Sequence, residues 1–190
     1  MSRHGLINLP PTEVDKAVAD LCARRAQPSL EETLRVLTWL ADEKILLTGA
    51  VLCWLYTRAA SDGRRLPRAA DQMVCSIAIA GVVPHLFKRL VSRERPDRSR
   101  VHGVRRGIPK SGKAWDSFPS GHAVHVGALA SAMSGMSGEK WRPLIWSAAT
   151  VLAGTRVVLL AHNLTDVIAG LGIGVLIQKF VARLFNAFEG

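Results

Sequence analysis

Residues 117–138 read SFPSGHAVHVGALASAMSGMSG, with no Asp, Glu, Lys or Arg among them. A helix crossing a bilayer needs about 20 predominantly apolar residues. This stretch meets that length and carries two histidines, His122 and His125. Its first residues, Pro119-Ser120-Gly121, suit a helix entrance, where proline is tolerated and unpaired N–H groups collect. On either side lie further apolar segments: 45–57, 72–87, 143–165 (broken only by Arg156) and 167–178. Each of these needs its flanks or a tilt to span. Five such segments in one short chain exceed what a soluble helical domain shows. The expected fold is all-α, a polytopic transmembrane helical bundle of about five spans.

Before the first segment, residues 12–26 place Val14, Val18, Leu21 and Cys22 at helical spacing, with Thr12 as cap. After Pro28, Ser29 and Glu32 resemble a capping box, and Leu30, Leu34, Leu37 and Ala41 line one face. These amphipathic helices either lie on the membrane surface or pack on the bundle. Residues 1–33 are therefore expected to be an N-terminal amphipathic, interfacial segment, and 34–190 the membrane-embedded domain. The N-terminus lacks an apolar run of signal-peptide length, so no cleaved secretory signal is expected.

The 190 residues carry 25 Lys+Arg against 15 Asp+Glu, a net charge of +10, and the mean hydropathy is +0.17. That excludes a disordered chain. The basic excess points to an anionic partner: a phosphate substrate, an anionic membrane face or nucleic acid. Ten of the basic residues fall between Lys88 and Lys113. Three cysteines, Cys22, Cys53 and Cys75, are too few and too scattered for a disulfide framework or a zinc site.

Polar residues inside apolar spans are costly and mark function by default. Here they are Lys88, His122, Arg156, His162 and Asp166, with Arg95-Pro96 following Lys88 and Ser120-Gly121 preceding His122. Lys88, Arg95 and Arg156 are three cations able to converge on a phosphoryl group, whose charge is spread over three oxygens. Ser120 and Gly121 at a helix N-terminus offer N–H groups to an anion. His162 and Asp166 are four apart, which on a helix is one face, so the carboxylate can fix the imidazole tautomer and free the other nitrogen for attack. Arg156 precedes His162 by six residues, so the chain must bend to bring both to one phosphate. His122 is left as general acid for the leaving oxygen. The three clusters also map to one membrane face: the first ends span two, the second opens span three, and the third straddles the link between spans four and five.

The pattern K-x6-R-P, P-S-G-H, then T-R-x5-H-x3-D resembles the signature of the type 2 phosphatidic acid phosphatase family, the lipid phosphate phosphatases related to vanadium haloperoxidases. Thr155 stands where that family usually has serine; both carry a hydroxyl. The resemblance covers about residues 34–186. It implies a helical bundle and a membrane lipid phosphatase acting on a lipid or polyprenyl phosphate or diphosphate, such as phosphatidic acid, through a phosphohistidine and without a metal or other cofactor. By position it implies His162 as nucleophile, Asp166 as its orienting group, His122 as proton donor, and Lys88, Arg95, Ser120, Gly121 and Arg156 as phosphate ligands.

Two other functions compete. One is a soluble acid phosphatase or haloperoxidase of the same superfamily, which the clumped apolar segments oppose. The other is a membrane protein that binds anionic lipid or nucleic acid through the basic 89–113 loop without catalysis, which the full catalytic set opposes. Substrate lipid and membrane lipids are the expected partners, and nucleic acid is not. His125, three after His122, could form a metal pair with it but lacks an obvious third ligand and is read as packing or as support behind the site, and His85, one turn before Lys88, as a residue able to line the site. Gly127, Gly135, Gly170, Gly172 and Gly174 are read as permitting close helix packing. With the three site cations set aside, the site face carries 14 Lys+Arg and the opposite face eight. A multi-pass protein of the inner or cell membrane with a cytoplasm-facing site is expected.

Overall fold

The computed structural model describes residues 5–25, 27–60, 63, 65–96 and 114–187. Among them are seven α-helices: α1 (Glu13–Arg25), α2 (Pro28–Trp39), α3 (Glu43–Ala60), α4 (Arg65–Leu90), α5 (Gly121–Met136), α6 (Arg142–Val158) and α7 (Leu164–Ala187). Each of the five apolar segments contributes one helix, α3 to α7. Two of them, Leu66–Leu90 and Leu164–Ala187, are long and apolar enough to cross a membrane. Helices α3, α5 and α6 have 18, 16 and 17 residues, or about 24–27 Å at 1.5 Å per residue, just short of a bilayer core of about 30 Å. The basic stretch from Asp97 to Lys113 lies outside the described residues.

Helix α5 is the centre of the bundle. Ala123, Val124, Val126, Ala128, Ala130 and Ala132 are all buried on it. Its packing against α7 depends on missing side chains. A Cβ on Gly170 would fall 2.7 Å from the Ser120 carbonyl, and one on Gly174 or Gly127 would collide with the backbone at Val124 or Leu171. Close backbone approach of this kind is what small residues permit between membrane helices. Gly135 and Gly172 have open space at that position instead, so the packing role expected for all five glycines holds for three.

The N-terminal region differs from its expected pattern. Helix α1 is capped as expected: Thr12 Oγ1 accepts from the Asp15 N–H at 3.1 Å, and Asp15 Oδ2 accepts from the Thr12 N–H at 2.9 Å. Its buried residues, however, are Asp15 and Ala19, while Val14 and Leu21 are exposed. The face turned to the bundle is chosen by a buried carboxylate rather than by the apolar stripe. Helix α2 starts earlier than the Ser29 capping box implies: Gln27 is the N-cap, without a side-chain hydrogen bond, and Pro28 takes the first turn. Ala41 is buried at the end of that face, but Leu30 is exposed. Residues 7–8 pair in parallel with 91–92 as two short strands, β1 and β2. That pairing ties the N-terminal arm to the segment leading to Arg95.

Candidate active site

The five bundle helices alternate in direction, so one end of the bundle collects the start of α3, the end of α4, the start of α5, the end of α6 and the start of α7. A cleft of about 240 Å³ opens there. It is lined by Lys88, Arg95 and Arg156, by Gly121, His122 and His162, and by Asp42, Glu43, Gly81, Pro84, His85 and His125. Three predicted cations and both predicted histidines thus meet in one cavity. Ser120 and Asp166 are fully buried behind it.

Each group is set by local chain chemistry. Lys88 lies in the last turn of α4. Ser120 is the N-cap of α5, its backbone extended, and its N–H donates to the Asp166 carbonyl at 3.2 Å. Gly121 and His122 therefore occupy the first helical positions, where N–H groups lack carbonyl partners within the helix. Pro119 sits one residue outside, before the cap. Ser120 Oγ is buried without a hydrogen-bond partner among the described residues. Arg156 is near the end of α6, and its Nη1 donates to Thr38 Oγ1 at 3.3 Å. Thr155 donates its hydroxyl proton to the Leu152 carbonyl at 2.6 Å, which leaves its Oγ1 to accept from the Thr38 hydroxyl at 3.2 Å. The departure from serine keeps a working hydroxyl.

The 143–165 segment does not continue as a helix to His162. Helix α6 stops at Val158, and Leu160 has φ 55°. The Leu160 N–H donates to the Val157 carbonyl and the Ala161 N–H to the Arg156 carbonyl, a Schellman closure with leucine where glycine is usual. This is the bend that brings Arg156 and His162 to one cavity.

His162 therefore precedes α7 instead of sharing a helix face with Asp166. Its Nδ1 donates to the Ser117 carbonyl at 2.7 Å. A carbonyl only accepts, so the proton sits on Nδ1 and Nε2 presents its lone pair as an acceptor. Arg95 Nη1 stands 3.3 Å from that Nε2 and also donates to the Ala161 carbonyl at 2.7 Å.

Asp166 acts one step further back than expected. Its Oδ2 accepts from Ser117 Oγ at 2.5 Å and from the Asn163 N–H at 2.8 Å, while Oδ1 pairs with Arg93. Asp166 thereby supplies one half of a capping box at the start of α7, its carboxylate taking the Asn163 N–H, while its own N–H donates to the Asn163 carbonyl at 3.1 Å. Asp166 thus holds Ser117, whose carbonyl holds His162.

Arg93 went unrecognised in the sequence. It is 2 % exposed, and its guanidinium joins Asp166 to Asp15 of α1, with Nη2 2.7 Å from Asp15 Oδ2 and Nη1 2.8 Å from Thr165 Oγ1. Burial alone would raise the Asp15 pKa. Donors from Thr165 and Thr12 outweigh it and hold this carboxyl below its ordinary value. Asp15 and Arg93 lie 78 residues apart, and neither belongs to a motif, so no local signal announces the pair.

Burial, followed by the charges of Arg95 and Arg156, pushes the His162 pKa well below the ordinary imidazole value. A lowered pKa keeps the ring neutral as pH falls through about 6.5, where a free histidine titrates. In ¹⁵N spectra of histidine-labelled protein without substrate, the His162 signal, assigned by its loss in His162→Ala, is expected to keep its neutral Nδ1–H pattern at pH 6. A midpoint near 6.5 would contradict this placement of the ring.

Lipid A 1-phosphatase of Rhizobium johnstonii is 29% identical over 178 residues, covering 88% of this chain and 72% of that protein. The protein of the same name from Rhizobium etli is 29% identical over 167 residues, covering 82% and 72%. Among solved structures, Aquifex aeolicus LpxE superposes with a TM-score of 0.65 at 14% identity, over 88% of this chain and 93% of that one. A transmembrane PAP2-type phosphatidylglycerolphosphate phosphatase from Bacillus subtilis superposes with a TM-score of 0.67 at 19% identity, over 91% and 85%. These two likenesses establish a shared helical fold. The model of the PAP2 superfamily matches residues 70–189. That span holds both histidines and all three cations of the cleft, and the chain belongs to the PAP2 superfamily.

Proposed function

We propose that this membrane lipid phosphatase transfers the phosphoryl group of its substrate to Nε2 of His162 and then to water, without a metal. The observation that carries the mechanism is the His162 hydrogen-bond pair: Nδ1–H is committed to the Ser117 carbonyl, and the Nε2 lone pair faces the cleft beside Arg95. In the first step a P–N bond forms as the bond from phosphorus to the leaving oxygen breaks, and His122 gives that oxygen its proton. In the second, His122 takes a proton from water, whose oxygen forms the new bond to phosphorus as the P–N bond breaks. Lys88, Arg95, Arg156 and the N–H groups at the start of α5, with Ser120 and Gly121, neutralise the oxygens on which charge builds.

The tail has a place to go. An apolar cavity of about 440 Å³ between α3, α5 and α6 is lined by Leu46, Leu129, Met133, Trp141, Ile145 and Leu152. Leu46 is one turn from Glu43 and Leu152 one turn from Arg156, so the cavity begins just beneath the cleft. We assign α3 to α7 as five spans of the inner or cell membrane, with short helices accommodated by tilt or local thinning. The exposed Val36, Trp39 and Leu40 of α2 suit an interfacial position for the N-terminal segment. The excess of Lys+Arg on the site face supports a cleft that faces the cytoplasm. The names of the Rhizobium relatives make a lipid A-type phosphate the first substrate to test.

The test is phosphate release by detergent-purified protein from lipid A-type phosphate, phosphatidylglycerol phosphate, phosphatidate and polyprenyl phosphates, with EDTA present. Release from at least one lipid, unchanged by EDTA, is expected. Release abolished by EDTA and restored by a divalent cation would overturn the metal-independent mechanism.

A further inference from the structure

The cleft has two chemical halves, and phosphate explains only one. The same cleft is also lined by Asp42 and Glu43 at the start of α3, by Gly81 of α4 and by His125 of α5. Two carboxylates are poor company for a phosphate dianion unless they serve another part of the same ligand. His125 supplies the independent observation. It is 3 % exposed, its Nδ1 donates to the Gly121 carbonyl at 2.8 Å, and its Nε2 is buried without a hydrogen-bond partner among the described residues. Since Nδ1 carries the proton of the neutral ring, Nε2 presents a lone pair. A buried acceptor left unpaired is costly and calls for a donor from a ligand or water.

Gly81 fixes where that lone pair points. A Cβ at Gly81 would lie 2.6 Å from Glu43 Oε1 and 3.7 Å from His125 Nε2. The missing side chain lets a carboxylate and an imidazole lone pair approach the same spot on α4. Asp42, Glu43 and His125 are all acceptors there.

We infer that this half of the cleft is a subsite for the leaving group, selecting lipid phosphates whose alcohol carries hydroxyl or ammonium donors next to the phosphate, as a sugar or polyol headgroup does. The inference rests on the phosphatase reading above and deepens it. Phosphatidate, whose leaving alcohol offers only ester oxygens, gives these acceptors nothing to bind. A site built to receive donors discriminates strongly against a ligand lacking them, because its own buried groups stay unpaired.

The test compares kcat/KM for an acylated glucosamine 1-phosphate and for phosphatidate of matched acyl length in the same detergent. Two variants are measured beside the unaltered protein. His125→Asn keeps a donor for the Gly121 carbonyl and removes Nε2; Gly81→Ala displaces the Glu43 carboxylate. The unaltered protein is expected to prefer the sugar phosphate, and each variant to reduce that preference about 10-fold, one lost hydrogen bond's worth, with phosphatidate turnover unchanged. A wild-type preference for phosphatidate, an unchanged ratio in both variants, or an equal fall on both lipids would overturn the subsite. Hydrolysis of neither lipid nor any other lipid phosphate by the unaltered protein would instead remove the phosphatase reading, and the subsite with it.

Discussion

His162→Ala is expected to lower kcat for lipid phosphate hydrolysis by at least about 10⁴-fold, the scale on which removal of a covalent nucleophile acts. The substitution deletes the buried lone pair held beside Arg95 in the cleft by a committed ring proton. Lys88, Arg95, Arg156 and the start of α5 are untouched, so lipid phosphate should still bind, and KM should change far less than kcat. Phosphate release from detergent-solubilised variant and wild type, at saturating and limiting lipid, checks both. A residual rate within about tenfold of wild type would mean that water attacks directly and that His162 has a lesser part.

Arg93→Met is the second large effect, and its cause is structural. Arg93 sits between Asp15 and Asp166, with side chains 2 % exposed for the arginine and 0 % for each carboxylate. Methionine fills much of the volume but leaves two buried carboxylates without their shared cation. Breaking a buried ion pair from one side costs about 3–5 kcal/mol. The arm that carries Asp15 should detach from the bundle, and the Asn163–Asp166 cap and Ser117 should loosen with it. Thermal unfolding in detergent is expected to show a clear loss of stability, and activity should fall because the Ser117 carbonyl no longer holds the His162 ring. Arg93→Lys keeps the charge but cannot fork between two carboxylates and Thr165, so an intermediate loss is expected. Unfolding of Arg93→Met indistinguishable from wild type would show that the triad carries no net stability.

The residues of the cleft were largely legible because phosphate chemistry dictates residue type. Lys88, Arg95, His122, Arg156 and His162 each interrupt or flank an apolar run, and the alternation of five runs puts them at one end before any contact is known. The frame behind them was not legible. Asp166 appeared to share a helix face with His162 because spacing of four implies a helix. The chain instead turns at Leu160, where no glycine announces a left-handed residue, and α7 begins only at Leu164. The tautomer is consequently set by a backbone carbonyl, which no side-chain pattern encodes. Arg93 looked like one more residue of a basic loop, and Asp15 like an ordinary acid in the first turn of a helix; their pairing spans 78 positions. His125 was read as packing or support. Its Nδ1 contact with the Gly121 carbonyl and its place in the cleft fit a supporting role; the Nε2 left unpaired among the described residues goes beyond it.

The central claim is the covalent step on His162, and the most direct measurement of it is a trapped intermediate. Protein quenched in denaturant during turnover of a ³²P-labelled lipid phosphate should carry label that is stable to base and released by mild acid, as a P–N bond is. After digestion the label should lie on the peptide containing His162 and be absent from His162→Ala. Label on a different residue, or single-turnover release of phosphate with no protein-bound label at any quench time, would contradict the account.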